Sequence, residues 1–261
     1  MNVAIIGHGF VGRALENGLQ NNVKTMIIDP IYNNKISDLN EFSPEIIFVC
    51  VPTPTYDNGT QDISILNNVI DDISLLSTKA ITVLKSTILP TNLVNIKKIN
   101  DSIVYNPEFL RESNANEDFI NSELIVFGGD KDNTKMIENF YINFTKCINK
   151  DYIHTDIITA SFIKYTINTF LATKVTFFNE LFNLFKNSGA KDTWQNFINA
   201  VSVDKRIGKS HMQVPGSDNK FGYGGNCFPK DSQAFLNYSD VKGNNLKLLK
   251  KSIKINKKIR N

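Results

Sequence analysis

Cysteine is scarce in this chain, with three in 261 residues and no two of them close together. Cys50, Cys147 and Cys227 form no CxxC. An odd and dispersed set argues against a disulfide framework and for a reducing compartment. Histidine is as sparse, and His8, His154 and His211 make no ligand spacing with the cysteines, which argues against a zinc site. No apolar run approaches the length of a membrane span. The N-terminus passes straight into a strand pattern, Asn2-Val-Ala-Ile-Ile-Gly7, without a basic segment leading an apolar signal core. These absences predict a soluble, cytoplasmic protein with no metal and no membrane association. Charge of one sign is also lacking. A net +3 is too small to imply nucleic acid, though it suits an anionic cofactor and substrate.

What is present is a regular alternation. Val3–Ile6, Thr25–Ile28, Ile46–Val51, Ile81–Leu84, Ile103–Tyr105 and Leu124–Phe127 are short apolar runs bounded by Gly, Pro, Asp or Asn. Between several of them lie segments of helical period, such as Val11–Leu19 and Ile63–Leu76. Such alternation predicts a parallel, doubly wound sheet with both faces covered. From Asp156 to about Asn187 there is neither Gly nor Pro, and the spacing predicts one long helix, with Gly189 as its stop. A second helix is expected at Thr193–Val201, a long loop at Gly208–Pro229 and a basic helix at Leu246–Ile259. The expectation is an α/β fold: a Rossmann-type doubly wound domain over residues 1–150, then a helical domain over 151–261.

Gly7-His-Gly9-Phe10-Val11-Gly12 is a GxGxxG that follows a strand and opens a helix, the context in which backbone N–H groups face a pyrophosphate. Asp29 closes the second strand, where a carboxylate accepts from ribose hydroxyls and repels a 2′-phosphate. Pro30 and Ile31 offer no cation, so NAD is expected over NADP. The plainer alternative is a glycine cluster needed only for tight packing.

Phe221-Gly222-Tyr223-Gly224-Gly225-Asn226-Cys227-Phe228-Pro229-Lys230-Asp231 is the most informative segment. Its glycines would let backbone approach a ligand closely, and a thiol beside a cation suits a nucleophile. For Cys50 and Cys147 a role as small buried hydrophobes is preferred.

This run resembles the catalytic loop of the UDP-glucose and GDP-mannose dehydrogenase family. Other stretches agree in order: Val51-Pro-Thr53-Pro-Thr55, Lys85-Ser-Thr87, Asn106-Pro-Glu108-Phe109-Leu110-Arg111-Glu112, the pair Lys164 and Asn168, and Asp204-Lys-Arg206-Ile-Gly208. The resemblance implies NAD contacts from Gly7, Gly9, Phe10, Val11, Gly12 and Asp29, with Thr53, Thr87, Glu112 and Lys230. It implies substrate contacts from Glu108 to Arg111, from Lys164, Asn168 and Arg206, and from Phe221 to Gly224. The implied reaction oxidises the C6 alcohol of a nucleotide sugar twice, as in UDP-glucose to UDP-glucuronate. Cys227 would hold the intermediates, and Asp231, with a water between it and Thr87, would be one plausible proton acceptor. Glu108 would activate the hydrolytic water, while Lys164 and Asn168 would stabilise the oxyanion. Arg206 would reach a neighbouring subunit, implying a homodimer.

Family members continue into a second nucleotide-binding domain, whereas this sequence stops at Asn261. The expectation is therefore a short form, with a separate chain as one way to supply that domain. Three alternatives stay open. One is GDP-mannose as substrate, from which Asp204-Lys-Arg-Ile-Gly208 leans away. A second is a module inactive without a partner. The third is a 3-hydroxyacid dehydrogenase, which oxidises once and needs no cysteine.

Overall fold

The computed structural model describes residues 1–149 and 151–260, and the chain divides into two compact units. The first comprises Met1–Pro54 and Gln61–Lys164, the second Thr55–Thr60 and Tyr165–Asn261.

The first unit is a seven-stranded sheet with strands β1 (Asn2–Ile6), β2 (Lys24–Ile28), β3 (Ile46–Val49), β4 (Ile81–Leu84), β5 (Ile103–Tyr105), β6 (Ile125–Gly129) and β7 (Tyr152–Thr155). Their order is β2-β1-β3-β4-β5-β6-β7. Between them run α1 (Phe10–Gly18), α2 (Leu39–Phe42), α3 (Ser64–Ser74), α4 (Pro90–Ile99), α5 (Ala115–Ile120) and α6 (Lys131–Phe144). The side-chain period of two sorts each strand into two cores. Ala4, Ile6, Ile47, Val49 and Leu84 enter one apolar cluster, and Val3, Ile5, Phe48 and Val83 enter the other. Strands buried on both faces read as continuous apolar runs, and this is what made them legible.

Two expectations need correction. The sheet is not wholly parallel, because β6 runs antiparallel to β5 and β7 follows it in parallel. The reversal is accommodated by Gly128 and Gly129, which pair with Tyr105 and Val104. A Cβ on Gly129 would come within 2.9 Å of the Ile103 carbonyl, and one on Gly128 within 2.6 Å of Ala160. The unit also extends past residue 150, since β7 completes the sheet and the first turns of the next helix pack with it.

That helix is α7 (Ile157–Asn187), opened by Asp156, whose Oδ1 accepts the N–H groups of Ile158 and Thr159. Its residues from Tyr165 onward belong to the second unit, with α8 (Trp194–Val201), α9 (Phe228–Val241) and α10 (Lys247–Arg260). Phe178, Ile198, Met212 and Val214 form a small core there, with Trp194 against it. α9 was not expected: it begins where the long loop was expected to end, directly after Cys227. α10 turns Leu249, Ser252, Ile253 and Asn256 inward, and Ser252 Oγ donates to Thr176 Oγ1 on α7 at 2.9 Å. Its Leu249/Ile253 stripe is therefore covered within the chain. The apolar side chains left exposed in this unit include Phe170, Phe177 and Leu248. No helix among the described residues is long and apolar enough to cross a membrane.

Candidate active site

In the first unit the chain leaves β1 through Gly7, at φ +91°, where a Cβ would lie 2.8 Å from the Cys50 carbonyl carbon. A Cβ on Gly12 would collide with the Gly7 oxygen. These two glycines are needed for the turn to fold at all. Gly9 is different. Its φ of −70° is ordinary, and a Cβ there would meet no protein atom within 4 Å. Packing explains Gly7 and Gly12 and leaves Gly9 unexplained, whereas close approach of a diphosphate to the open N-terminus of α1 explains it. Phe10 and Val11 begin that helix. Asp29 stands beside the turn: its Oδ2 accepts the His8 N–H at 2.7 Å and its Oδ1 the Ile31 N–H at 3.2 Å. These residues fit a dinucleotide.

The loops after β3 and β4 are tied to each other. Thr53 Oγ1 donates to the Thr87 carbonyl at 2.7 Å, which also accepts from Gln61 Nε2 at 2.8 Å. Ser86 Oγ donates to the Val51 carbonyl, and Ser161 Oγ on α7 to the Ile88 carbonyl at 2.7 Å.

The loop after β5 hangs from Asn106. Its Oδ1 accepts from Tyr141 OH at 2.6 Å and from Lys85 Nζ at 2.8 Å, and its Nδ2 donates to the Val126 carbonyl. Burial pulls the Lys85 ammonium down in pKa, because its hydrogen-bond partners are uncharged. Two residues on, Glu108 is buried. Its Oε2 accepts the Leu110 N–H at 2.6 Å, and its Oε1 takes Lys164 Nζ at 3.0 Å. Lys164, 2% exposed, also donates to the Glu108 carbonyl and lies 5.3 Å from the Phe109 ring centroid. Arg111 is held outward in a two-pronged pair with Asp118, and Glu112 opens a short 3-10 turn.

In the second unit Asn168 follows Lys164 on α7 by four residues, and it has a different partner. Its Nδ2 donates to Asp231 Oδ2 at 2.6 Å, while Lys230 Nζ meets Oδ1 at 2.5 Å. Asp231 is 1% exposed, so its carboxylate is fixed by an amide and an ammonium. Cys227 is the N-cap of α9, and Asp231 lies one turn further, its N–H bonded to the Cys227 carbonyl. The first-turn N–H groups of a helix favour negative charge at this position. The other cysteines differ. Burial pushes the Cys50 thiol up to about 12, and Cys147 Sγ contacts the Phe119 carbonyl in the core.

The glycines of the cysteine loop have an intramolecular purpose that the sequence did not suggest. Gly222 has φ +71°, and a Cβ there would strike Asn256 Oδ1. Its N–H donates to Asn179 Oδ1 at 2.9 Å. Asn256 accepts the Tyr223 N–H at 2.7 Å and donates to the Tyr223 carbonyl at 2.9 Å. Gly224 makes room for the Arg260 guanidinium, which donates to the Phe221 and Gly222 carbonyls. Two of the three glycines thus seat the loop on α10, and only Gly225 keeps open space beside it. Phe221 packs near Phe182. Arg206 is exposed and paired with Asp204 of its own loop.

Residues 15–145 match the NAD binding domain of the UDP-glucose/GDP-mannose dehydrogenase family, and residues 158–258 match its central domain. The UDP-glucose 6-dehydrogenase of Rickettsia bellii (strain RML369-C) is 34% identical over 300 residues, covering 98% of this chain and 67% of that protein. That of Rickettsia felis is 34% identical over 235 residues, covering 87% of this chain and 50% of that protein. The chain thus spans from half to two thirds of the length of these curated relatives. Among solved structures, a UDP-glucose dehydrogenase from Pyrobaculum islandicum aligns with a TM-score of 0.80 at 24% identity, over 98% of this chain and 68% of that one. A 3-hydroxyisobutyrate dehydrogenase of Mycobacterium tuberculosis aligns at 0.75 with 16% identity, over 98% and 92%. At those identities the likeness speaks for the fold. From the two domain matches and the relatives above 30% identity, the chain belongs to the UDP-glucose/GDP-mannose dehydrogenase family of NAD-dependent oxidoreductases.

Proposed function

We propose that this chain oxidises the primary alcohol of a nucleotide sugar to a carboxylate in two steps, with UDP-glucose as substrate and Cys227 as nucleophile. The observation that carries the reading is the placement of Cys227 at the N-terminus of α9, one turn before an Asp231 fixed by Asn168 and Lys230. A core cysteine needs no such surroundings.

Two NAD molecules, bound in turn, would each accept one hydride. Gly7, Gly9 and Gly12 with the N-terminus of α1 hold the cofactor's diphosphate, and Asp29 its ribose hydroxyls. By the family resemblance Thr53, Thr87, Glu112 and Lys230 also contact the cofactor. Lys164 carries its charge in a buried place, where it stabilises an alkoxide more than it would in water. In the first oxidation Asp231 accepts the hydroxyl proton through a water. The Cys227 thiolate then adds to the aldehyde carbon, and the alkoxide so formed is held by Lys164 and the Asn168 amide. Loss of the second hydride leaves a thioester on Cys227. Glu108 takes a proton from water, which attacks the thioester carbon. The C–S bond breaks, the proton held by Glu108 passes to the departing Cys227 sulfur, and the product dissociates as a carboxylate. Sugar contacts come from Glu108, Phe109, Leu110 and Arg111, and from Phe221, Gly222, Tyr223 and Gly224. Arg206 reaches a second copy in a homodimer, and its high exposure supports that use.

The test is product analysis of Cys227→Ser with UDP-glucose, GDP-mannose and a set of 3-hydroxyacids. The unaltered chain should yield two NADH per UDP-glucose. The variant should release aldehyde or stall as an adduct, with little acid. Full acid formation by the variant would remove Cys227 from the mechanism. One NADH per molecule of a 3-hydroxyacid would favour the single-oxidation alternative.

A further inference from the structure

The residue between the first two glycines is a histidine bonded through both ring nitrogens. His8 Nε2 lies 2.7 Å from Glu16 Oε2 on α1, and Nδ1 lies 3.0 Å from the Tyr32 hydroxyl in the turn after β2. The His8 backbone N–H is the group that holds Asp29 Oδ2, and the Tyr32 N–H donates to the Asp29 carbonyl at 2.9 Å. The imidazole is enclosed, while Tyr32 remains 43% exposed, with its ring edge-on to His8. Imidazole, phenol and the Glu16 carboxylate therefore form one chain of side-chain bonds, joined through the His8 and Tyr32 backbone N–H groups to Asp29, the residue assigned to the adenosine ribose.

Proton counting makes this cluster two-valued. An ionised carboxylate only accepts, so the bond to Glu16 places a proton on Nε2. Nδ1 is then bare in the neutral ring and protonated in the cation. Against the neutral ring, Tyr32 gives its single proton to Nδ1 and offers a ligand only an acceptor oxygen. Against the cation, Tyr32 receives a proton from Nδ1, and its own O–H becomes available to donate. With neutral His8, the ribose side of the site consists of acceptors: the Asp29 carboxylate and the Tyr32 oxygen. Ribose hydroxyls satisfy acceptors, whereas a 2′-phosphate is an acceptor itself. With protonated His8, the site gains a donor and a positive charge.

We propose that His8, acting through Tyr32, is a specificity-determining residue that makes discrimination between NAD and NADP depend on pH. Selectivity for NAD is high where the imidazole is neutral and falls toward acidic pH. The other titratable groups at the cluster do not reverse this. Glu16 and Asp29 are the carboxylates already counted, and the thiol of Cys50, whose backbone lies against Gly7, is pushed up to about 12 and stays protonated. Arg13 on α1 is exposed. The proposal rests on the assignment of this turn to NAD.

The experiment is calorimetric titration of the full chain with NAD and with NADP between pH 8 and pH 5.5. It is run on the unaltered protein, on His8→Gln, which bonds without titrating, and on Tyr32→Phe, which keeps the ring and loses the proton. The ratio of the two dissociation constants should fall about tenfold across that range in the unaltered protein, the size of one charge-assisted hydrogen bond gained. The fall should be clearly smaller in both variants, where the slope that remains comes from titration of the 2′-phosphate itself. A slope as steep in His8→Gln and Tyr32→Phe as in the unaltered protein would belong wholly to the ligand and overturn the proposal. A flat ratio in the unaltered protein would overturn it as well. Tight NAD binding at pH 8 with a flat ratio refutes only the role of His8, whereas no NAD binding at pH 8 refutes the cofactor assignment beneath it.

Discussion

Replacing Asn256 tests whether α10 shapes the cysteine loop. The amide of Asn256 behaves as a short piece of strand, accepting the Tyr223 N–H and donating to the Tyr223 carbonyl. Both Tyr223 groups are enclosed, the residue being 5% exposed. Asn256→Ala removes both partners at once. A buried backbone group left without a partner costs about 1–3 kcal/mol, so the loss of two should reach roughly 2–6 kcal/mol. In a unit of this size that lowers Tm by roughly 10 °C or more. Asn256→Asp keeps the acceptor and loses the donor, and should fall in between. Gly222→Ala should act on the same contact from the other side, because its φ of +71° disfavours a side chain and its Cβ would displace Asn256. The assay is thermal unfolding together with hydrogen exchange at the Tyr223 amide, read beside kcat/KM. Exchange should quicken and turnover fall. An unchanged Tm, or a lowered Tm with Tyr223 still fully protected, would refute the idea that this amide seats the loop.

Gly9→Ala should leave stability within about 0.5 kcal/mol of the unaltered protein and weaken NAD binding about tenfold or more, while Gly12→Ala should destabilise the fold. If both variants behave alike in thermal unfolding and calorimetry, Gly9 serves packing. At pH 8 a limiting alkylating agent should modify Cys227 ahead of Cys50 and Cys147, as read by peptide mass spectrometry. Because the Cys50 thiol is raised from 9.0 to about 12, the unfolded chain releases that proton first, so stability should decline above about pH 9. Cys50→Ala should lessen that decline in denaturant titrations. Phe170, Phe177 and Leu248 expose apolar surface, and Leu248→Asp should convert a dimer to monomer in light scattering. A monomeric unaltered chain would end that reading.

Strands and glycine turn were legible because their signals are local. Val3 to Ile6 and Ile46 to Val49 are apolar runs closed by breakers, and Gly7 to Gly12 is a motif with its context beside it. β7 was missed because Tyr152–Thr155 is a partly exposed edge strand without an apolar run. α9 was missed although Pro229 in its first turn is a helix-start signal, obscured by the glycines before it. Within the candidate site, resemblance could nominate Glu108, Lys164, Asn168 and Asp231, but their pairing into Glu108 with Lys164 and Asn168 with Asp231 depends on tertiary placement. The roles of Asn106, Asn179, Asn256 and Arg260 were invisible for the same reason. Each is a polar residue whose partner lies tens of residues away.

The small segment Thr55–Thr60 gives the second unit a dependence on the order of synthesis. It leaves the ribosome early, yet Thr55 Oγ1 donates to the Lys230 carbonyl and the Asn58 carbonyl accepts from Asn237. These bonds span 175 and 179 residues of chain. The second unit therefore cannot finish assembling until α9 has emerged, however early the sheet forms around the gap. No single cut in the gene separates the two units: a fragment starting at Tyr165 lacks a piece of its own structure, and that piece would have to be returned as a peptide or grafted through a new connection.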